Sequence, residues 1–217
     1  MNKIQSIVIL ILLVGFTFQV TAQETSTKQY TLWYLNGDTE LISNYQFIEE
    51  GTVLNYTNYK GKFKDIETFY LFSINKADGT KEMLYKPVIG DEENVADTLT
   101  VDEMGAFVIG GFLAKKNYKA RGALIEGFVV GVGSPFLVAS LSMNPFYTLI
   151  IPTVNSAIIG ITRPCDKKIR EKYPKLSKNE LFVEGYKEAA KTKRTKNSIV
   201  GGLVGVVVGF ATVFLIQ

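Results

Sequence analysis

Three long stretches almost free of charge constrain this chain more than any other feature. Residues 122–143 are 22 positions with one charge, Glu126; residues 145–161 are 17 with none; residues 198–216 are 19 with none. A hydrocarbon layer about 30 Å thick takes about 20 apolar residues in a helix. Backbone in lipid must hydrogen-bond within its own segment, so such runs should be helices. The first two, joined at Asn144-Pro145, read as a transmembrane helical hairpin over 122–162, and the third as a C-terminal transmembrane helix over 198–217. A buried hairpin in a soluble core is the competing reading, but runs this long and uniform favour a membrane.

Glycine marks one face of these helices. Gly201, Gly205 and Gly209 recur every fourth residue, and Gly127 and Gly131 repeat that spacing in the first run. Without side chains, two helix backbones approach closely and gain packing that lipid does not supply. The five glycines are expected to pack helices, within the chain or between copies in a homo-oligomer. Glu126 lies a turn or so inside the first run, where an acid needs water or a partner. Arg121 is the candidate to neutralise it, the pair forming a polar point within the membrane or at its interface.

The segment between the hairpin and the last run, 163–197, carries 12 Lys/Arg against 5 Asp/Glu. It reads as a basic loop followed by a helix that can run on into the third apolar run. Ser177 with Glu180 has the spacing of a capping box. Lys187, Lys191, Lys193, Arg194 and Lys196 suit anionic lipid headgroups. An ordinary solvated helix with Glu184–Lys187 and Glu188–Lys191 pairs is the alternative.

The rest of the chain has a different character. From 23 to 103 there are 7 basic and 15 acidic residues, and from 104 to 217 there are 16 and 6. The first part is built from short aromatic and β-branched runs separated by turn residues: 30–35, Asn36-Gly37-Asp38, 41–47, 52–57, 63–74, Asp78-Gly79 and 81–86. This pattern predicts an antiparallel β-domain over 23–89, a small barrel or sandwich of SH3-like size. An acidic linker follows at 90–99. Thr100 and Glu103 then form a capping box and open an apolar helix over 100–121, packed on the β-domain or along a membrane surface. The fold class is thus α+β, with a helical membrane region after the sheet.

At the N-terminus, Lys3, the apolar run 7–16 and the small residues before Gln23 follow the order of a signal peptide over 1–22. An uncleaved anchor is the alternative. Export would place the β-domain in the periplasm, and the basic segment 163–197 with it, against the tendency of basic loops to stay in the cytoplasm. Either that tendency is broken here, or the membrane is an outer one, or the hairpin does not span.

The absence of His and the single Cys exclude His-based catalysis, disulfides within the chain and Cys/His metal sites. Glu49-Glu50 and the acidic run 91–93 have no phosphate-cradling glycine loop or acid/base partner beside them. No catalytic residue, cofactor or metal is expected, and balanced charge gives no case for nucleic acid.

Taken together, Tyr34-Leu35-Asn36-Gly37, Leu71-Phe72-Ser73-Ile74 with Asp78-Gly79, Met104-Gly105-Ala106-Phe107 leading to Gly127 and Gly131, and Phe182-Val183-Glu184-Gly185-Tyr186-Lys187 leading to Asn197 and Gly201-Gly202 form a recognisable series. In these stretches the chain resembles uncharacterised exported bacterial envelope proteins with a small N-terminal β-domain and a glycine-rich C-terminal membrane region. In such proteins the helix before the hairpin is usually polar; here Phe112 and Leu113 stand in its place. The resemblance implies an architecture and a compartment, and no activity. The expected function is a non-enzymatic envelope protein with a structural or interaction role. Membrane lipid and an envelope protein bound through the β-domain are its expected partners. The alternative is a small channel or transporter subunit with Glu126 on the path.

Overall fold

The computed structural model describes residues 29–87, 99–162 and 164–216. The expected signal segment, and the expected acidic linker apart from Leu99, lie outside the described residues.

Six strands form one antiparallel sheet: β1 Tyr30–Tyr34, β2 Thr39–Ile48, β3 Val53–Asn58, β4 Phe63–Glu67, β5 Leu71–Lys76 and β6 Lys81–Met83. Their order is β4-β3-β2-β1-β5-β6. The first four make a meander. A single 3-10 turn, Thr68–Tyr70, then carries the chain across to lay β5 on the free side of β1. The long β2 serves two neighbours, its first part pairing with β1 and its remainder with β3. The register shifts between Ile42 and Asn44, an irregularity of the kind that bends a strand and tightens its twist.

The sheet curls around Leu32, Ile42, Leu54, Tyr56, Leu71 and Ile74, with Tyr30, Tyr45 and Phe47 packed against them. It is a single open sheet rather than the closed barrel or two-sheet sandwich expected. β6 is only three residues long and pairs with β5 alone, so no ladder joins the outer strands β4 and β6. Side chains bridge part of the gap instead: Tyr45 Oη on β2 donates to Glu82 Oε2 on β6 at 2.7 Å.

Among the described residues five α-helices follow: α1 Val101–Asn117, α2 Arg121–Ser140, α3 Tyr147–Ile161, α4 Asp166–Lys172 and α5 Glu180–Ile216. The capping box at the start of α1 is made in both directions: Thr100 Oγ1 accepts from the Glu103 N–H, and the Glu103 carboxylate accepts from the Thr100 N–H. The similar box expected at Ser177 and Glu180 does not form. Arg170 takes both oxygens of Glu180 at 2.7 Å, and Asn179 Oδ1 accepts from the Leu181 N–H in its stead.

α1 joins the sheet to the helices. On one side Gly37, in the β1–β2 turn at φ +81°, lies against the α1 backbone; a Cβ there would stand 2.5 Å from the Phe112 nitrogen. The Trp33 ring packs on Phe112 with centroids 4.8 Å apart, and Lys115 pairs with Asp38 at 2.7 Å. On the other side Gly110 abuts the Phe182 carbonyl and Gly185 abuts the Phe107 carbonyl, which brings α1 onto α5 backbone to backbone. Ala114, Ile169, Phe182, Val183, Tyr186, Ala189 and Ala190 make a second core there, shared with α4. Burying a side chain such as Phe182 contributes about 1.5–3 kcal/mol.

α5 is one unbroken helix of 37 residues, about 55 Å long at 1.5 Å per residue. It crosses the expected boundary at 197/198 without interruption and belongs both to this core and to the apolar bundle beyond it.

Candidate membrane-facing helix bundle

α2, α3 and α5 form the bundle, and α2 with α5 is the most extensive helix contact in the molecule. Its seam is made of small residues. A Cβ on Gly127 would overlap the Ser198 carbonyl, and one on Gly131 the Gly202 carbonyl. From the other side, Gly201 meets the Leu124 carbonyl, Gly205 that of Phe128, and Gly209 that of Val132 at 2.6 Å. All five expected packing glycines are therefore buried against a helix of the same chain.

α3 completes the seam with residues that glycine spacing did not mark. Gly202 lies against Pro152, and a Cβ on Gly160 would stand 2.7 Å from Thr195 Oγ1. The buried hydroxyls of Ser156 and Ser198 are hydrogen-bonded at 2.9 Å, and Ser134 donates to the Thr148 carbonyl at 3.0 Å. Each of these serines satisfies its polar group inside the bundle, as a buried hydroxyl requires.

Most of the large apolar side chains point the other way. Val129 is 62% exposed, Ile158 57%, Val207 70% and Phe214 79%, with Leu124, Leu137, Val154 and Leu203 alongside them. Glycine, serine, alanine and proline fill most of the seam, with Val138, Ile159 and Val206 buried among them, while most of the valine, leucine, isoleucine and phenylalanine side chains lie outside, the reverse of a water-soluble core. Two of the helices, α2 and α5, are long and apolar enough to cross a membrane. α3 is shorter than expected, because the turn between the hairpin arms takes 141–146 rather than two residues and leaves 15 for the helix.

The charged residues lie at one end of this bundle. Arg121 and Glu126 are both exposed, and among the described residues no ion pair joins them. Five positions apart on a helix sets them about 140° apart around its axis. The five basic residues expected at headgroups divide by use. Lys187 pairs with Asp166 at 2.6 Å. Lys193 donates to the Lys115 carbonyl at 2.7 Å and Arg194 to the Thr162 carbonyl at 2.9 Å, so both tie helices together while keeping their charge. Lys191 stands 3.7 Å from Glu188. Lys196 is exposed. Asn197 adds a tie from α5 to the Ala120 carbonyl at 3.3 Å.

The sheet holds a separate polar cluster that the linear sequence did not reveal. Glu40 accepts from Tyr34 Oη at 3.0 Å, Tyr56 Oη at 2.9 Å, Asn58 Nδ2 at 3.3 Å and Lys64 Nζ at 2.6 Å. Burial pushes the Glu40 carboxyl up, but the bonds from Lys64, Tyr56, Tyr34 and Asn58 outweigh it and hold the group below the usual carboxylate range. Burial, then the bonds to Tyr56 and Glu40, drives the Tyr34 phenol well up. These four donors come from β1, β3, β4 and the β3 end, so they meet only once the register is set. The cluster holds an ionised carboxylate fixed among donors, the chemistry of a structural anchor.

The acids Glu49 and Glu50 sit in the exposed β2–β3 turn with left-handed backbones (φ +51° and +57°). Among the described residues no group of three or more His, Cys, Asp or Glu is placed to hold a metal. A cleft of about 590 Å³ lies between β5–β6, α1 and the start of α5, with Lys81 and Asp102 on its walls.

Comparison with protein-family models, curated proteins and solved structures finds no match.

Proposed function

We propose that this is a non-enzymatic membrane protein of the cell envelope with a structural or interaction role. In this reading α2, α3 and α5 are embedded in lipid, and the sheet stands outside the cytoplasm. The observation that carries it is the inverted packing of the bundle, with glycine and serine in the seam and large apolar side chains around it. Lipid accepts such an exterior, and close backbone packing holds helices together where the hydrophobic effect does not. The signal-like order of residues 1–22 supports export. Exposed aromatics, Phe63 on β4 and the touching pair Phe69–Tyr70 in the turn that follows it, offer an envelope partner a surface.

The sheet, α1, α4 and the first half of α5 lie at one end of the bundle and pack into one another. They share one side of the membrane in this reading. α3 is short, but the turn beyond it at 141–146 carries no charge that needs water. The channel reading loses its acid, since Glu126 faces outward rather than into the seam.

Two measurements on one preparation test the proposal. The full chain should stay with membranes after alkaline carbonate extraction. Cys165, which is exposed, should react with an impermeant maleimide once the outer membrane alone is permeabilised. Release by carbonate would defeat membrane embedding. Labelling only after the inner membrane is breached, with a denatured control that labels fully, would defeat export.

A further inference from the structure

Among the basic residues of α5, two stand on a groove that continues directly into the apolar belt. Glu188, Thr192, Lys196 and Val200 form one ridge at four-residue spacing, and Lys191, Thr195 and Ile199 form the next. These seven residues line an open furrow of about 400 Å³. Adjacent ridges of this kind leave a groove inclined to the helix axis. Its upper part is polar, with the Lys191 and Lys196 ammonium groups and the Glu188 carboxylate, while the Thr192 and Thr195 hydroxyls donate to the Glu188 and Lys191 carbonyls of the same helix. Its lower part is Ile199 and Val200, both exposed, with exposed Leu203 and Val204 beyond. The change from polar to apolar falls where the uncharged run of α5 begins.

We infer that this furrow binds one anionic phospholipid. The phosphate sits at Lys191 and Lys196, and an acyl chain lies along Ile199 and Val200. Charge selects the occupant. Glu188 subtracts one charge from the furrow and pairs at 3.7 Å with Lys191. Lys193 and Arg194 nearby donate to neutral carbonyls and so leave the local field positive. Lys187 is neutralised by Asp166 and contributes little. A zwitterionic headgroup gains much less from such a field than an anionic one. The apolar lower half selects a lipid over a free phosphate, because it extends the site into the layer where acyl chains lie.

The inference rests on the membrane reading, and its test keeps the two apart. The full chain is reconstituted in bilayers of equal phosphatidylglycerol and phosphatidylcholine with matched acyl chains, then extracted gently, and retained lipid is identified by native mass spectrometry. One phosphatidylglycerol should be retained in preference to phosphatidylcholine. Lys191→Gln with Lys196→Gln should cut that preference about thirtyfold, roughly fivefold for each charge lost at a membrane surface. Lys167→Gln with Lys168→Gln, which removes the same charge from exposed positions on α4, should leave it unchanged. Equal loss in both double variants would mean diffuse attraction and overturn the site. So would retention that survives Lys191→Gln with Lys196→Gln, or displacement of the bound species by inorganic phosphate. Failure of the chain to enter bilayers of either lipid would defeat the membrane reading, and this inference with it.

Discussion

Glu40 shows what a single residue does here. It stands on β2 opposite Leu32, next to the core of the sheet, yet four side chains donate to it. Its carboxyl is held below the usual range in the folded protein. Such a group contributes stability that is present above its unfolded pKa of about 4.3 and is lost as pH falls through the lower folded value. Stability should therefore decline below about pH 4.5 in the native protein, and that decline should be shallower in Glu40→Gln. Denaturant unfolding followed by the fluorescence of Trp33, the single tryptophan, measures both slopes. An identical acid limb in the variant would remove Glu40 from the account. Nothing in the sequence points to this residue, because its donors are spread from 34 to 64 and only the register brings them together.

Among the elements, the helix seam was the most legible and the sheet's closure the least. The four-residue spacing of Gly201, Gly205 and Gly209 identifies a face from sequence, since periodicity fixes direction around a helix axis. It does not identify the helix across from that face, which is α2 of the same chain. Gly110 and Gly185 carry no such repeat, so the α1–α5 contact was not readable. Strand positions followed from aromatic and β-branched runs, but an open or closed sheet depends on the length and register of β6, which local pattern leaves free. The capping-box spacing of Ser177 and Glu180 is not used because Arg170, ten residues upstream, takes the Glu180 carboxylate. The seam itself makes a differential prediction. Gly131→Ala puts a methyl group into the Gly202 carbonyl and should lower stability by about 1–3 kcal/mol. Gly133→Ala, two residues away with nothing within 4 Å of the added carbon, should raise helix stability by up to about 1 kcal/mol. Thermal melts in detergent micelles compare the two. Equal effects would mean that close packing does not decide the stability of α2.

For the molecule as a whole, the sheet and the bundle are coupled through α1. Gly37 allows the β1–β2 turn to touch the α1 backbone, and Asp38–Lys115 adds an exposed ion pair. Exposed pairs contribute about 0–1 kcal/mol, while the close approach at Gly37 leaves no room for a side chain. Gly37→Ala should therefore loosen the sheet from the bundle, with Trp33 moving from the Phe112 ring into a more polar setting and its emission shifting to the red. Asp38→Asn should leave that emission nearly unchanged. If the two variants behave alike, the ion pair rather than the backbone contact holds the parts together.

The distribution of charge along the chain also bears on how the bundle reaches its place. Between Glu126 and Arg163, and again after Lys196, no ionised side chain interrupts the sequence. In the membrane reading, the hairpin and the second half of α5 enter the bilayer without carrying a charged side chain through its centre, a transfer that costs about 2.5–3.5 kcal/mol or more for each one. In the same reading, the basic residues of α5 remain at the surface and limit how far the helix enters.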